Sequence, residues 1–432
     1  MNTINSNENQ NYNNKNQELK DSECGGEGGG GGGFNETDYK DDSSMMFQKW
    51  DDECIDLNPH LLRGIYAFGF EQPSPIQQKS IIPVTKMQEN GFRRDTIAQA
   101  QSGSGKTGAF AISALNIINI KNERPQVLIL SPTHELATQS LNVVKSIGKY
   151  LNVKTQLLVG GTSVEQNKRD LDERPAHIVV GTPGRVHDMI RRKFLKTDDI
   201  STIIVDEADE MLSFGFKDQM FKIFQFMDEK VQICLFSATF DKDLHIFSKK
   251  FLRNPYKILV KNEMLTLQGI AQYYIKIEND EQKYNTLKDL FSSLSISQAI
   301  IYCNSTKRVD DLEEAMIEDN FPVKKIHGKM DEKERKEVYH DFKKGSCRVL
   351  ISSDLFARGI DVQQVSIVIN FDIPKNEHTY LHRIGRSGRW GRKGIAINFL
   401  TRYDLVKLRH FEKYYNTIIS EMPMNYTQHL GY

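Results

Sequence analysis

Between Asp95 and Phe399 the chain is punctuated by short aliphatic runs: Gln126-Val-Leu-Ile-Leu130, His177-Ile-Val-Val180, Ser201-Thr-Ile-Ile-Val205 and Gln232-Ile-Cys-Leu-Phe236. Each is rich in β-branched residues and too uniformly apolar to alternate, which marks a strand buried on both faces. Stretches with helical periodicity separate them. Strands alternating with helices bury both faces of a sheet when they run parallel beneath two helical layers, so the expected class is α/β with a parallel sheet. A second series follows Gln272: Tyr273-Tyr-Ile-Lys-Ile277, Ala299-Ile-Ile-Tyr302, Arg348-Val-Leu-Ile351, Ser366-Ile-Val-Ile-Asn370 and Ile395-Ala-Ile-Asn-Phe399. The halves show no self-similarity in sequence, so their shared architecture rests on pattern. Length agrees, because 432 residues at 39% hydrophobic exceed what one core supports.

Residues 1–44 are Asn-rich and then Gly-rich, with an unbroken run from Gly28 to Gly33. Such composition cannot offset its ordering entropy by burial, and a disordered tail is expected. The domains are expected at 45–255 and 269–432, joined by a linker over 256–268 that follows Asn254-Pro255 and contains Lys261-Asn-Glu263. Lys plus Arg equals Asp plus Glu at 57 each, so any nucleic-acid site must be a local patch. Five cysteines without a Cys-x-x-Cys pair argue for a reducing compartment and against a disulfide or zinc framework. With no apolar run of membrane-spanning length and no signal-peptide core, a soluble intracellular protein is expected.

The segment Ala100-Gln101-Ser102-Gly103-Ser104-Gly105-Lys106-Thr107 stands between a strand near Thr96 and a helix-compatible stretch from Gly108 to Ile120. Its glycines let backbone N–H groups converge on phosphate oxygens, and the helix N-terminus adds a positive dipole. Lys106 would neutralise β/γ charge and Thr107 would supply an oxygen to Mg²⁺. The strict phosphate-loop pattern starts on Gly, where this chain has Ala100. Ile203-Ile-Val-Asp206-Glu207 provides the matching acidic strand end: Asp206 to hold Mg²⁺, Glu207 to orient and deprotonate the attacking water. These two elements specify a nucleotide triphosphatase and nothing finer.

They are accompanied by Asp206-Glu-Ala-Asp209, Ser237-Ala-Thr239, Thr182-Pro-Gly-Arg185 and Gly160-Gly161, and later by Asp354-Leu-Phe-Ala-Arg-Gly-Ile-Asp361 and His382-Arg-Ile-Gly-Arg-Ser-Gly-Arg389. Together they resemble the DEAD-box RNA helicases from about Trp50 to the C-terminus. The resemblance implies two tandem RecA-like parallel-sheet domains, ATP with Mg²⁺, and RNA as partner. In Gly69-Phe-Glu-Gln72-Pro-Ser-Pro-Ile-Gln77 it places Gln77 on both hydrogen-bonding edges of adenine, with Gln72 beside it. Trp50, with Phe47 in reserve, stands nearest the position of the family's stacking aromatic, about two residues further upstream than usual.

The stretch Lys375–Lys393 is strongly basic, with Glu377 its one acid, and by chemistry alone is an anion-binding segment or a solvated loop. The resemblance makes Arg386 and Arg389 fingers on the γ-phosphate, sets Asp354 at the ribose side, and makes Asp209, Ser237, Thr239 and His382 the relay between phosphate state and RNA grip. It assigns RNA contacts to Pro132, Thr133, Gly161, Thr182 and Arg185 in the first domain and to Arg308, Gly328, Arg335, Ser353 and Gly359 in the second. Closure of the two domains would bend one strand of a short duplex and expel its partner, by shape rather than sequence.

Three positions depart from the family: His134 in place of Arg, Lys329 in place of Asp, and Glu332 in place of Gln. All fall in elements expected to face RNA or the opposing domain, which predicts intact ATP hydrolysis with altered RNA coupling, pH-sensitive through His134, against the simpler reading of lineage drift. The branch within the family is that of initiation factor 4A, including the exon-junction helicase, carried by Leu61-Leu-Arg-Gly-Ile-Tyr66, Leu265-Thr-Leu-Gln-Gly-Ile270 and Glu421-Met-Pro-Met-Asn425. It implies a monomeric core, protein partners in an mRNA-bound complex, and a cytoplasmic location with the nucleus as alternative. An ATP-gated RNA clamp is the second reading; a metabolic kinase is the third and leaves the arginine motif unexplained.

Overall fold

The computed structural model describes residues 46–101, 103–212, 215–259, 269–293, 297–354, 365–387 and 394–423. The expected tail, most of the expected linker, and Ser102, Gly359 and Arg389 lie outside the described residues. The first sheet contains β1 (Thr96–Gln99), β2 (Val127–Leu130), β3 (Thr155–Leu158), β4 (Ile178–Gly181), β5 (Thr202–Val205), β6 (Gln232–Ser237) and β7 (Tyr256–Ile258), in the order β3-β4-β2-β5-β6-β1-β7. The second contains β8 (Ile270–Lys276), β9 (Ala299–Tyr302), β10 (Val323–Ile326), β11 (Val349–Ser352), β12 (Ile367–Asn370), β13 (Gly394–Leu400) and β14 (Ser420–Glu421), in the order β10-β11-β9-β12-β13-β8-β14. Raising every strand number of the first order by seven gives the second. All pairings between these strands are parallel, as the uniform aliphatic runs lead one to expect.

Helices cover both faces of each sheet, giving four hydrophobic clusters. In the first lobe Phe110, Ile129, Val144 and Phe236 lie on one side of the sheet, and Leu128, Met189, Ile203 and Leu235 on the other. In the second, Tyr302, Phe342, Tyr380 and Phe411 oppose Leu287, Leu312, Met316 and Phe399. Full burial of one such side chain stabilises by about 1.5–3 kcal/mol. Phe110 and Phe236 add an edge-on ring contact with centroids 5.5 Å apart. Strand β7 falls in the stretch expected to be linker, yet it pairs with β1 and completes the first sheet, so that lobe extends to Ile258. Tyr256 and Ile258 are buried at the sheet edge, while Lys257 between them is half-buried.

In a parallel sheet every strand points its carboxyl end the same way, so the loops there gather into one surface. In the first lobe that surface is built by the segments after β1, β2, β4, β5 and β6, which begin at Ala100, Ser131, Thr182, Asp206 and Ala238. In the second it is built by the segments after β9, β11 and β12, which begin at Cys303, Ser353 and Phe371. Side-chain caps then start the helices that run back from it: Thr133 Oγ1 accepts from Leu136 N–H, Ser305 Oγ from Arg308 N–H, and Asn376 Oδ1 from Thr379 N–H.

Candidate functional site

After β1 the backbone turns through Gly103 and Gly105, at φ 81° and 100°, into the helix Lys106–Ile117. Those angles belong to glycine. A Cβ at Gly105 would stand 2.7 Å from Ser74 Oγ, so the loop is pressed onto the Ser74–Gln77 turn. Gln77 fastens the two: its Oε1 accepts from Ser74 N–H at 2.7 Å and its Nε2 donates to Gly105 O at 3.3 Å. One amide hydrogen and one lone pair remain for a ligand. Lys106 Nζ is folded back to donate to Ala100 O at 2.7 Å, buried at the mouth of the loop. Gln101, Ser104 and Thr107 are half-buried around it. A helix N-terminus, a glycine-bearing loop and an ammonium group brought together have the chemistry to take an anion.

The predicted stacking aromatics are placed differently. Trp50 and Phe47 are each 1% exposed within the first core cluster, so neither offers a free ring face to a base. Phe70, half-buried, was not anticipated: a Cβ at Gly108 would meet its ring at 2.7 Å and Gln77 Nε2 at 2.6 Å. It lies nearly parallel to Trp50 with centroids 6.5 Å apart, and it sits in the same motif as Gln77. Gln72 is on the exposed surface of that turn.

Strand β5 delivers Asp206, whose N–H donates to Leu130 O. Glu207 follows at φ 47° and ψ 55°, a left-handed conformation that costs a non-glycine residue about 1–3 kcal/mol. Its N–H donates to Asp206 Oδ1 at 3.0 Å, and its buried Oε2 has no hydrogen-bond partner. Burial, and then the charge of Glu207, push the Asp206 carboxyl up to about 8 against partial relief from Lys106. A proton-hungry buried carboxylate beside an ammonium and a helix N-terminus fits a divalent cation that arrives with phosphates. Among the described residues no group of three or more His, Cys, Asp or Glu could cage a metal by itself.

Four predicted relay residues meet. Ser237 Oγ accepts from Asp209 N–H at 3.3 Å, and Thr239 Oγ1 donates to Asp209 Oδ2 at 2.6 Å. From the other lobe His382 Nε2 comes within 3.1 Å of the same oxygen. The His382 and Asp209 side chains are 0% and 2% exposed, so the contact is sealed from water. Arg386 is buried one helical turn further on, donating through Nε to His382 O at 3.1 Å. Arg383, which carried no prediction, is fully buried: it donates to Asp354 Oδ1 at 2.6 Å, Asp372 O at 2.7 Å and Asn304 Oδ1 at 2.7 Å. Asp354 is thus held in place by Arg383 rather than standing free.

All five predicted RNA contacts of the first lobe, Pro132, Thr133, Gly161, Thr182 and Arg185, line one groove of about 550 Å³, together with Arg335 of the second. Arg185 braces the groove wall by donating to Thr162 Oγ1, Thr162 O and Asn167 Oδ1. Two polar contacts cross between the lobes here: the ion pair of Arg335 Nε with Glu135 Oε1 at 3.0 Å, and His134 Nδ1 beside Glu332 Oε1 at 2.9 Å. The role of Glu135 had no sequence signal, because its partner lies 200 residues away. Gly328 and Lys329 are exposed and Ser353 is buried at the end of β11. Arg308 departs from expectation: both Nη atoms donate to Asp280, at 2.9 and 2.7 Å, and its Nε pairs with Asp372 at 2.9 Å. Its charge is committed within the lobe.

A family model for DEAD/DEAH box helicases matches residues 74–247, and one for the helicase conserved C-terminal domain matches residues 282–391. The chain is 50% identical to the ATP-dependent RNA helicase eIF4A of Schizosaccharomyces pombe over 380 residues, 87% of this chain and 95% of that protein. It is 50% identical to the ATP-dependent RNA helicase FAL1 of Coccidioides immitis over 375 residues, 87% of this chain and 92% of that protein. The solved structure of S. cerevisiae Dbp5 bound to RNA and ADP BeF3 superposes with a TM-score of 0.80 at 36% identity, covering 85% of this chain and 94% of that one.

Proposed function

The chain belongs to the DEAD-box ATP-dependent RNA helicases, and from that premise we propose how its own residues divide the work. Gln77 reads adenine with its spare hydrogen and lone pair, and Phe70 supplies the apolar contact beside it. The loop amides and Lys106 take the phosphates. Thr107 and Asp206 would hold Mg²⁺, which when bound neutralises phosphate charge. Glu207 accepts the proton of the attacking water through the oxygen that has no other partner. Arg386 reaches the γ-phosphate from the second lobe, and the family motif gives Arg389, outside the described residues, the same role, a contribution of about 10³–10⁵ in rate where arginine fingers have been measured.

The observation that carries this reading is the Asp209 carboxylate shared between Thr239 and His382. An acid next to the catalytic carboxylates bonds the opposite lobe, so the state of the nucleotide is expressed as lobe position. Closure completes the groove of Gly161, Thr182 and Arg185, which grips RNA by phosphate and ribose rather than by base. The outcome is local, non-processive separation of short duplexes. Work on messenger RNA, in translation initiation or processing, follows from relatives called eIF4A and FAL1, which stand at the same 50% identity. A cytoplasmic location, or a nuclear one for the processing role, and partner proteins of an mRNA-bound complex go with it.

Glu207→Gln tests the assignment: nucleotide binding persists while RNA-stimulated hydrolysis falls at least 100-fold, and hydrolysis at the parental rate would show the base to be another group. A second reading, an ATP-gated RNA clamp, is favoured by the two contacts that cross the lobes, Arg335–Glu135 and His134–Glu332. Duplex displacement measured beside RNA dissociation time in the presence of ATP separates the two.

A further inference from the structure

Gly161 lies at φ 77°, and a Cβ built on it would fall 1.6 Å from Glu332 Oε2. The carboxylate of the second lobe therefore rests directly against the glycine backbone of the first, in space that only glycine leaves open. Three further features surround the same carboxylate. Its Oε1 is 2.9 Å from His134 Nδ1 and 2.6 Å from Lys336 Nζ. It stands in the first turn of the helix Glu332–Lys344, where the dipole favours negative charge. Two other charged neighbours, Arg335 and Glu135, are engaged with one another at 3.0 Å. Glycine backbone, imidazole, ammonium and helix N-terminus make an anion site, and the anion in it belongs to the protein.

We propose that Glu332 is a displaceable mimic of an RNA backbone phosphate: it occupies the phosphate position beside Gly161 when the lobes close without RNA, and RNA must expel it to bind. This rests on reading the groove as the RNA site. It makes Glu332 a determinant of how strongly RNA is held and of how far closure depends on RNA. An RNA phosphate entering the site exchanges one anion for another, so this position contributes no net release of counterions. A neutral side chain there leaves the cations open to phosphate.

The test is single-stranded oligo(U) binding to the full chain with ADP–beryllium fluoride, measured from 50 to 300 mM KCl, for the parent, Glu332→Gln and Arg335→Gln. Glu332→Gln is expected to tighten binding about tenfold and to steepen the plot of log K against log salt by about 0.7, the increment for one further phosphate of a single strand. Unchanged or weaker binding by Glu332→Gln, while Arg335→Gln weakens it, overturns the proposal and leaves the groove as the RNA site. Binding unaltered in Arg335→Gln removes the groove reading and the proposal together.

Discussion

His134 and Glu332, two of the three residues that set this chain apart from its family's pattern, meet across the lobes with Nδ1 and Oε1 2.9 Å apart. Burial, and then the charge of Lys336, lower the proton affinity of His134 below its ordinary value of 6.5, against the pull of Glu332 and Glu135. Burial opposes ionisation of Glu332, but the Lys336 hydrogen bond and the charges of His134, Lys336 and Arg335 outweigh it and hold its carboxyl low. Near neutral pH the pair is therefore a neutral imidazole lying against a carboxylate.

That depression fixes the sign of a pH effect. An opened lobe exposes His134, which then binds a proton below about 6.5, whereas the closed lobe does not until lower pH. Closure expels a proton, so it strengthens as pH rises toward 6.5 and levels off above. Interlobe fluorescence transfer with bound nucleotide and no RNA is expected to show the closed fraction climbing between pH 5.5 and about 7. In His134→Arg the climb disappears, because arginine stays charged throughout.

Arg335 and Glu135 cross the same interface with side chains only 16% and 12% exposed. Truncating one partner of so enclosed a pair costs about 2 kcal/mol, or roughly 30-fold in the closed-state population. Arg335→Gln and Glu135→Gln should each lower RNA-stimulated kcat/KM by about that factor. The double variant should lose far less than the product, since the second change removes a charge that has already lost this partner. Strict additivity would mean that the two residues act separately.

The fold was legible where strands are buried on both faces and obscure where they are not. Most strands in the interior of the two sheets are largely aliphatic runs or lie beside a motif, and β8, which alternates, was legible from its aromatic and β-branched residues. The four left unmarked, β3, β7, β10 and β14, are the four sheet edges. An edge strand packs on one side only, so Lys324 and Lys325 sit comfortably in β10 and Gln156 in β3, and the apolar signal vanishes. The site divides in the same way. The phosphate loop and Asp206-Glu207 are local in sequence and announce their chemistry. The buried Trp50 could not be foreseen, because an aromatic's side of a helix or turn depends on packing that one sequence does not print. Nor could Glu135–Arg335 or Arg383–Asp354, which are contacts between distant segments.

Asp206 makes a prediction about the metal. Its proton affinity, pushed up to about 8, means that without a cation the carboxyl retains a proton at neutral pH, and a cation must displace it. Mg²⁺-dependent nucleotide affinity should therefore rise with pH between 6 and 8, by up to tenfold per pH unit, and flatten above. For the same reason the ligand-free protein loses stability as pH rises toward 8, the reverse of a salt-bridged carboxylate. Asp206→Asn abolishes both trends; titration calorimetry and thermal melts without nucleotide read them directly.

Arg308 separates resemblance from geometry. The motif makes it an RNA contact, whereas both of its Nη atoms donate to Asp280 and its Nε pairs with Asp372, which also binds Lys283 at 3.2 Å. The Asp280 hydrogen bonds raise its proton affinity further above an already high value. Lys283 and Asp372 have side chains 5% and 12% exposed, so this network works in a poorly hydrated pocket where an unbalanced charge is costly. Arg308→Ala leaves Asp372 with one cation in place of two, at a cost of about 2 kcal/mol, and should lower the melting temperature by about 4–8 °C. A phosphate contact predicts something else: intact stability and a salt dependence of RNA binding shallower by about 0.7. Thermal melts and RNA titrations on the same variant distinguish the two, and the expected result is a destabilised protein whose salt slope is unchanged.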